Sequence, residues 1–126
     1  KSKNSYKVCL AEQPVNSREV FLYHKTTRRE TYDMALMVYQ TYSDILLHNE
    51  RGELTEFTIG NLVVEIDGGL VTPPISSGLL GGTFREHLIE SGQVTERVIK
   101  IEELAKCKKM FLVNSVRKWV EVEFIF

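Results

Sequence analysis

The sequence predicts an α+β fold in which short strands, interrupted by about three helices, fill a single domain over residues 1–126. Three observations predict it. Apolar stretches of strand length are bounded by Gly, Pro, Asn and Ser along most of the chain. The dipeptide Asp67-Gly68 between two such stretches is a strong hairpin signal. Helical spacing occurs only between groups of strands, which fits α+β better than a doubly wound parallel sheet.

In chain order, Lys1 to Ser5 is polar and expected to fray. Tyr6–Ala11 and Glu19–Tyr23 read as strands on either side of a turn around Pro14, Asn16 and Ser17. From Thr31 to Tyr42, the apolar positions Met34, Ala35, Met37 and Val38 give an amphipathic helix. Asp44–His48 and Leu54–Thr58 are strands joined through Asn49-Glu-Arg-Gly52. Asn61–Ile66 and Gly69–Thr72 flank the Asp67-Gly68 turn, and Pro73-Pro74 ends the second of them. Thr83–Glu90 follows a glycine-rich segment and stops at Ser91-Gly92, as a helix does. Thr95–Ile101 reads as a strand, Glu102–Lys106 as a short helix, and Lys108–Val113 and Lys118–Phe126 as closing strands.

Composition narrows the function classes. The chain has 126 residues, 43% hydrophobic and 26% charged, with a net charge of −1, as in an ordinary soluble domain. Lys and Arg are scattered among Asp and Glu, so no nucleic-acid or anionic-membrane partner is expected. No apolar run approaches the roughly 20 residues of a membrane span, and there is no signal-peptide pattern, so a cytoplasmic setting is expected. Cys9 and Cys107 read as reduced thiols. His24, His48 and His87 lack metal-ligand spacing, so no metal is expected.

Three features carry chemistry in the order in which they occur. Lys25 stands in Phe21-Leu-Tyr-His-Lys-Thr-Thr-Arg-Arg-Glu-Thr-Tyr32, Glu56 lies in Leu54-Thr-Glu-Phe-Thr-Ile-Gly-Asn61, and Gly78-Leu-Leu-Gly-Gly-Thr-Phe-Arg85 leads into a helix. Taken singly, these are a surface lysine, a strand acid and a helix cap. In this order they are the set a pyridoxal phosphate site requires: an amine for the aldehyde, an acid for the pyridine nitrogen and free helix amides for the phosphate.

His24-Lys-Thr-Thr-Arg-Arg29 with Tyr32-Asp33, Asn49-Glu-Arg-Gly-Glu-Leu-Thr-Glu56 and Phe111-Leu-Val-Asn-Ser-Val-Arg-Lys-Trp119 resemble the class IV, or fold type IV, aminotransferase family. The nearest flavour is aminodeoxychorismate lyase, and the likeness runs from about Val8 to Val122. Arg28 departs from the family pattern, which leads one to expect asparagine there. The resemblance implies a twisted mixed or antiparallel sheet curled into a pseudo-barrel, the large C-terminal domain of longer enzymes whose N-terminal domain supplies an arginine to the phosphate. It implies pyridoxal 5'-phosphate as cofactor, Lys25 as the Schiff-base lysine and Glu56 as the partner of the pyridine nitrogen.

By the same resemblance, Thr58, Ile59 and Gly60 wall the cofactor ring, Gly82 lets the backbone approach the phosphate, and the amides of Thr83 and Phe84 bind it. Asn114 and Ser115 fall where relatives hold a substrate carboxylate, and an ordinary strand-to-strand turn is the other reading of that segment. Asn61 reads as a residue that fixes local backbone, and Trp119 as a core or dimer contact. The implied activity converts 4-amino-4-deoxychorismate to 4-aminobenzoate and pyruvate, a step toward folate. An amino-acid aminotransferase of branched-chain or D-amino-acid type, or a catalytically silent partner domain, are the other readings. A small-molecule substrate and a homodimer, or pairing with an N-terminal half, complete the expectation.

Overall fold

Leu62, Val64 and Ile66 alternate with Asn61 and Val63 along one strand, and both sets are buried. A strand that buries both faces needs cover on each side, and the architecture supplies it. The computed structural model describes residues 6–22 and 42–125. Its strands are β1 (Tyr6–Leu10), β2 (Asp44–His48), β3 (Leu54–Phe57), β4 (Asn61–Ile66), β5 (Gly69–Thr72), β6 (Thr95–Glu96), β7 (Lys109–Asn114) and β8 (Lys118–Ile125). They form one sheet in the order β3-β2-β1-β8-β7-β4-β5-β6.

An additional β3–β4 pairing closes six of these strands into a barrel, leaving β5 and β6 as a flap on β4. The sheet is mixed: β1 runs parallel to β2 and β8, while β2–β3, β4–β5, β4–β7 and β7–β8 are antiparallel. The expected pseudo-barrel is thus present. Its interior holds Val8, Leu46, Leu54, Phe57, Leu62, Val64, Ile99, Met110, Leu112 and Val122. Removing such side chains from water is the main stabilising force, at about 1.5–3 kcal/mol each for the larger ones.

Helix α1 spans Ser17–Leu22 and α2 spans Thr83–Glu90, with 3₁₀ turns at Ile75–Ser77 and Ile101–Lys106. Leu88 of α2 packs on Val63 and Val113, covering the outer face of β4 and β7. Buried Arg85, in the first turn of α2, ties the helix to the flap: its guanidinium donates to the Pro73 carbonyl at 3.0 Å and pairs with Glu86 and Glu96.

The hairpin Asn61–Ile66/Gly69–Thr72 and the helix Thr83–Glu90 have the ends the sequence predicts. Two segments differ. Glu19 to Leu22, expected as strand, belongs to α1, because Asn16 Oδ1 accepts the amides of Arg18 and Glu19 and the Glu50 carboxylate accepts the Ser17 amide at 2.9 Å. These bonds satisfy the first-turn donors that would otherwise be lost in starting so short a helix. Thr95–Ile101 is strand only at Thr95–Glu96, since a Lys100/Glu103 capping box starts the following 3₁₀ turn. The predicted helix Thr31–Tyr42 and the tail Lys1–Ser5 lie outside the described residues, apart from Tyr42. Among the described residues no helix is long and apolar enough to cross a membrane.

Candidate active site

At one end of the barrel the β3–β4 turn meets the N-terminus of α2. Glu56 on β3 is 5% exposed and sits opposite Asn61 on β4. Residues paired across antiparallel strands project from the same face, here the outer face that α2 covers. Asn61 links strand to helix: its Nδ2 donates to the Leu80 carbonyl at 2.8 Å, and its Oδ1 accepts the Gly82 amide at 3.2 Å.

Gly82 is the N-cap residue of α2, and among the described residues no side chain caps this helix start. The amides of Thr83 and Phe84, in the first helical turn, have no intrahelical acceptor and point out along the axis toward any anion placed there. A Cβ added to Gly82 would lie 2.8 Å from Asn61 Oδ1, so the close approach of loop to strand requires glycine. Exposed Thr83 and half-buried Phe84 flank this opening, with the Phe84 ring edge-on to Trp119 at 6.3 Å and Lys118 Nζ 5.3 Å from its centroid. Half-buried Trp119, expected as a core or dimer contact, also packs edge-on against Phe111 at 5.3 Å, at the margin of the cluster under α2.

The turn between Glu56 and Asn61 is held from both sides. Thr58 donates through its hydroxyl to Asp44 Oδ1 at 2.6 Å and through its amide at 3.2 Å. The Ile59 carbonyl accepts Asn114 Nδ2 at 2.9 Å, while the Ile59 side chain is 45% exposed beside the opening. Gly60 fits against β7 so closely that an added Cβ would sit 2.7 Å from the Val113 carbonyl oxygen. Burial pushes the Asp44 carboxyl up from its ordinary pKa, against the opposing pull of bonds from Thr58, Ile45 and Ile59.

Glu56, Thr58, Ile59, Gly60, Gly82, Thr83 and Phe84 are therefore brought to one end of the barrel, with Asn114 joined to them through Ile59. Ser115 lies exposed in the β7–β8 turn, where its carbonyl accepts Lys118 Nζ at 2.8 Å and Asn114 Oδ1 accepts the Arg117 amide at 2.7 Å. That turn thus has the bonding of an ordinary strand connection as well as a position beside the site. Lys25, His24 and Arg28 lie outside the described residues. The sequence reading passed over Asp44, whose partner is 14 residues away and leaves no local signal, and it saw only part of the role of Asn61.

Chemically, this end of the barrel offers unpaired first-turn amides for an anion, a buried acid for a ring N–H, and a polar turn able to meet a carboxylate. The Amino-transferase class IV family profile matches residues 1–125, and the chain belongs to that family. It is 32% identical over 124 residues to a Schizosaccharomyces pombe protein provisionally named aminodeoxychorismate lyase, covering 92% of this chain and 54% of that protein. Aminodeoxychorismate lyase of Saccharomyces cerevisiae is 30% identical over 132 residues, covering 89% of this chain and 35% of the relative. The chain thus spans about half, or less, of the length of these curated relatives. A crystal structure from Mesorhizobium loti, provisionally named an amino-acid aminotransferase, superposes with a TM-score of 0.87 at 34% identity, over 97% of this chain and 60% of that one.

Proposed function

We propose that this chain is the cofactor-bearing portion of a cytoplasmic, pyridoxal 5'-phosphate-dependent lyase that converts 4-amino-4-deoxychorismate to 4-aminobenzoate and pyruvate. The observation that carries the reading is the Asn61 bridge, which joins the strand pair bearing Glu56 to the uncapped start of α2. The residues present fit the cofactor: a glycine at the helix start that lets the loop close on Asn61, first-turn amides at Thr83 and Phe84 with no intrahelical acceptor, and a buried acid on the same side of the sheet. Lyase names on two relatives at 30% identity or above support the choice of reaction.

When bound, the cofactor supplies a ring that accepts electrons from the substrate. Glu56 holds a proton on the ring nitrogen, which keeps that ring electron-poor. The amides of Thr83 and Phe84 hold the phosphate, aided by the helix dipole. Thr58, Ile59 and Gly60 wall the ring, and Asn114 and Ser115 receive the substrate carboxylate. Lys25 would be the covalent anchor, and its amine would take the proton from the substrate carbon that bears nitrogen. The remaining phosphate contact comes from an N-terminal half, in the same or another chain, and the assembly is a dimer.

The second reading is an aminotransferase on the same residues, favoured by the similarity to the Mesorhizobium loti structure. The assay that separates them supplies the protein with pyridoxal 5'-phosphate and 4-amino-4-deoxychorismate. Equimolar 4-aminobenzoate and pyruvate without any 2-oxo acid is the expected result. Amino transfer from an added amino acid to a 2-oxo acid, without release of 4-aminobenzoate, would move the assignment to the aminotransferase, and neither reaction in the protein together with its N-terminal half would remove both.

A further inference from the structure

Asp44 opens β2 at 1% exposure, a place where a carboxylate is costly to bury. Its Oδ1 accepts the Ile45 amide at 2.7 Å together with the hydroxyl and amide of Thr58 at 2.6 and 3.2 Å. Oδ2 is buried with no hydrogen-bond partner among the described residues. A group bought at that expense and bonded chiefly to one turn acts on that turn.

The turn has one closing bond of its own, from the Phe57 amide to the Gly60 carbonyl at 2.9 Å, and little ladder behind it. β3 and β4 share one register pair, Glu56↔Asn61, and β3 carries an irregularity where Leu46↔Phe57 and His48↔Leu54 fall out of step. The ladder that places Glu56 is therefore short and interrupted, whereas the bonds from Asp44 grip the chain two residues beyond it. Asn114 holds the opposite side of the turn through the Ile59 carbonyl.

We infer that Asp44 is a positioning residue, which by clamping the Thr58–Ile59 turn sets the Glu56 carboxylate against the first turn of α2. The inference rests on the reading of Glu56 as the partner of the cofactor ring nitrogen. The test measures pyridoxal 5'-phosphate affinity by absorbance titration, and amide hydrogen exchange at residues 58–60 in the cofactor-free protein. The variants are Asp44→Ala, Asp44→Asn, Thr58→Val, Glu56→Gln and each Asp44 change combined with Glu56→Gln. Thr72→Val, which loses a buried bond to the Leu62 carbonyl in the flap, is the control for general destabilisation.

Asp44→Ala should weaken affinity roughly tenfold and speed exchange at 58–60, with little further loss when Glu56→Gln is also present. Asp44→Asn keeps an acceptor oxygen and should restore most of the affinity, and Thr72→Val should leave it unchanged. Losses that simply add in the double variant, or unchanged affinity in a folded Asp44→Ala, would overturn the inference while leaving Glu56 assigned. Unchanged affinity in Glu56→Gln would overturn that assignment and the inference with it. If Asp44→Ala does not fold, Thr58→Val decides: a loss coupled to Glu56→Gln supports the clamp, and an additive or absent one refutes it.

Discussion

The two ends of the β2–β3 hairpin hold carboxylates in opposite ways. At the site end, Asp44 is buried, its pKa pushed up by desolvation, with its bonds going to Thr58 and Ile45. At the far end, Glu50 and Glu53 stand at or near the surface. The Ser17 amide, with its hydroxyl, holds the Glu50 carboxyl below its usual range. Burial alone would raise Glu53, but bonds from Asn49, Arg51 and Ser77 outweigh it and lower it. The far end is a solvated fastening between α1, the hairpin and the Ile75–Ser77 turn. The site end accepts the cost of a buried charge for a fixed turn, which is where a fold departs from its most stable choice in favour of a working geometry.

The sharpest way to break this contrast is to truncate each end in turn. Asp44→Ala leaves the part-buried amide and hydroxyl of Thr58 and the buried Ile45 amide without their acceptor and should cost about 1–3 kcal/mol, read from denaturant unfolding. Equal losses at the two ends would mean that the contrast is wrong.

Gly60→Ala tests the tightness of the site end by a different route. Its Cβ would meet backbone oxygen and Leu112 Cδ2, each at 2.7 Å, which no rotamer change can relieve at the oxygen. Overpacking of this kind should cost about 1–3 kcal/mol in an unfolding titration.

The signs of the pKa shifts give a third handle. A carboxyl raised in the folded state, as Asp44 is, binds its proton more tightly when folded, so its contribution to stability falls as pH rises from 3.8 through the raised value. The lowered groups, Glu50, Glu53 and Glu103, contribute fully above their ordinary 4.5 and lose that contribution as pH falls through their depressed values. The two trends oppose each other in acid. Melting curves between about pH 3 and 6 should therefore show a steeper acid loss in Asp44→Asn and a shallower one in Glu53→Gln. The smallest effect belongs to Glu50→Ala, whose half-exposed bonds to Ser17 should be worth about 0.5–1 kcal/mol.

The two ends also differ in how much of them the sequence reveals. The Asp67-Gly68 turn is legible because positive φ at both residues (53° and 81°) is what that dipeptide tolerates, and the strands on either side follow from it. The glycine-rich approach to Thr83–Glu90 announces a helix start open to an anion. Val20-Phe21-Leu22 deceives because so short an apolar run suits either period; the cap at Asn16 decided it, together with a Glu50 bond that spans 33 residues of sequence. Asp44 and the Asn61 bridge are hidden for the same reason: their partners lie 14 to 21 residues away. Local pattern identifies the residues that could touch a ligand, while the groups that aim them become visible only when the barrel closes.

The most direct test of the central claim is to add pyridoxal 5'-phosphate to the purified protein, treat with borohydride and map the modified peptide. The account predicts a visible absorption band that reduction fixes covalently to Lys25, is lost in Lys25→Ala, and is weakened in Glu56→Gln and Gly82→Ala. A folded protein that gives no band, or one that attaches the cofactor at another lysine, would contradict it.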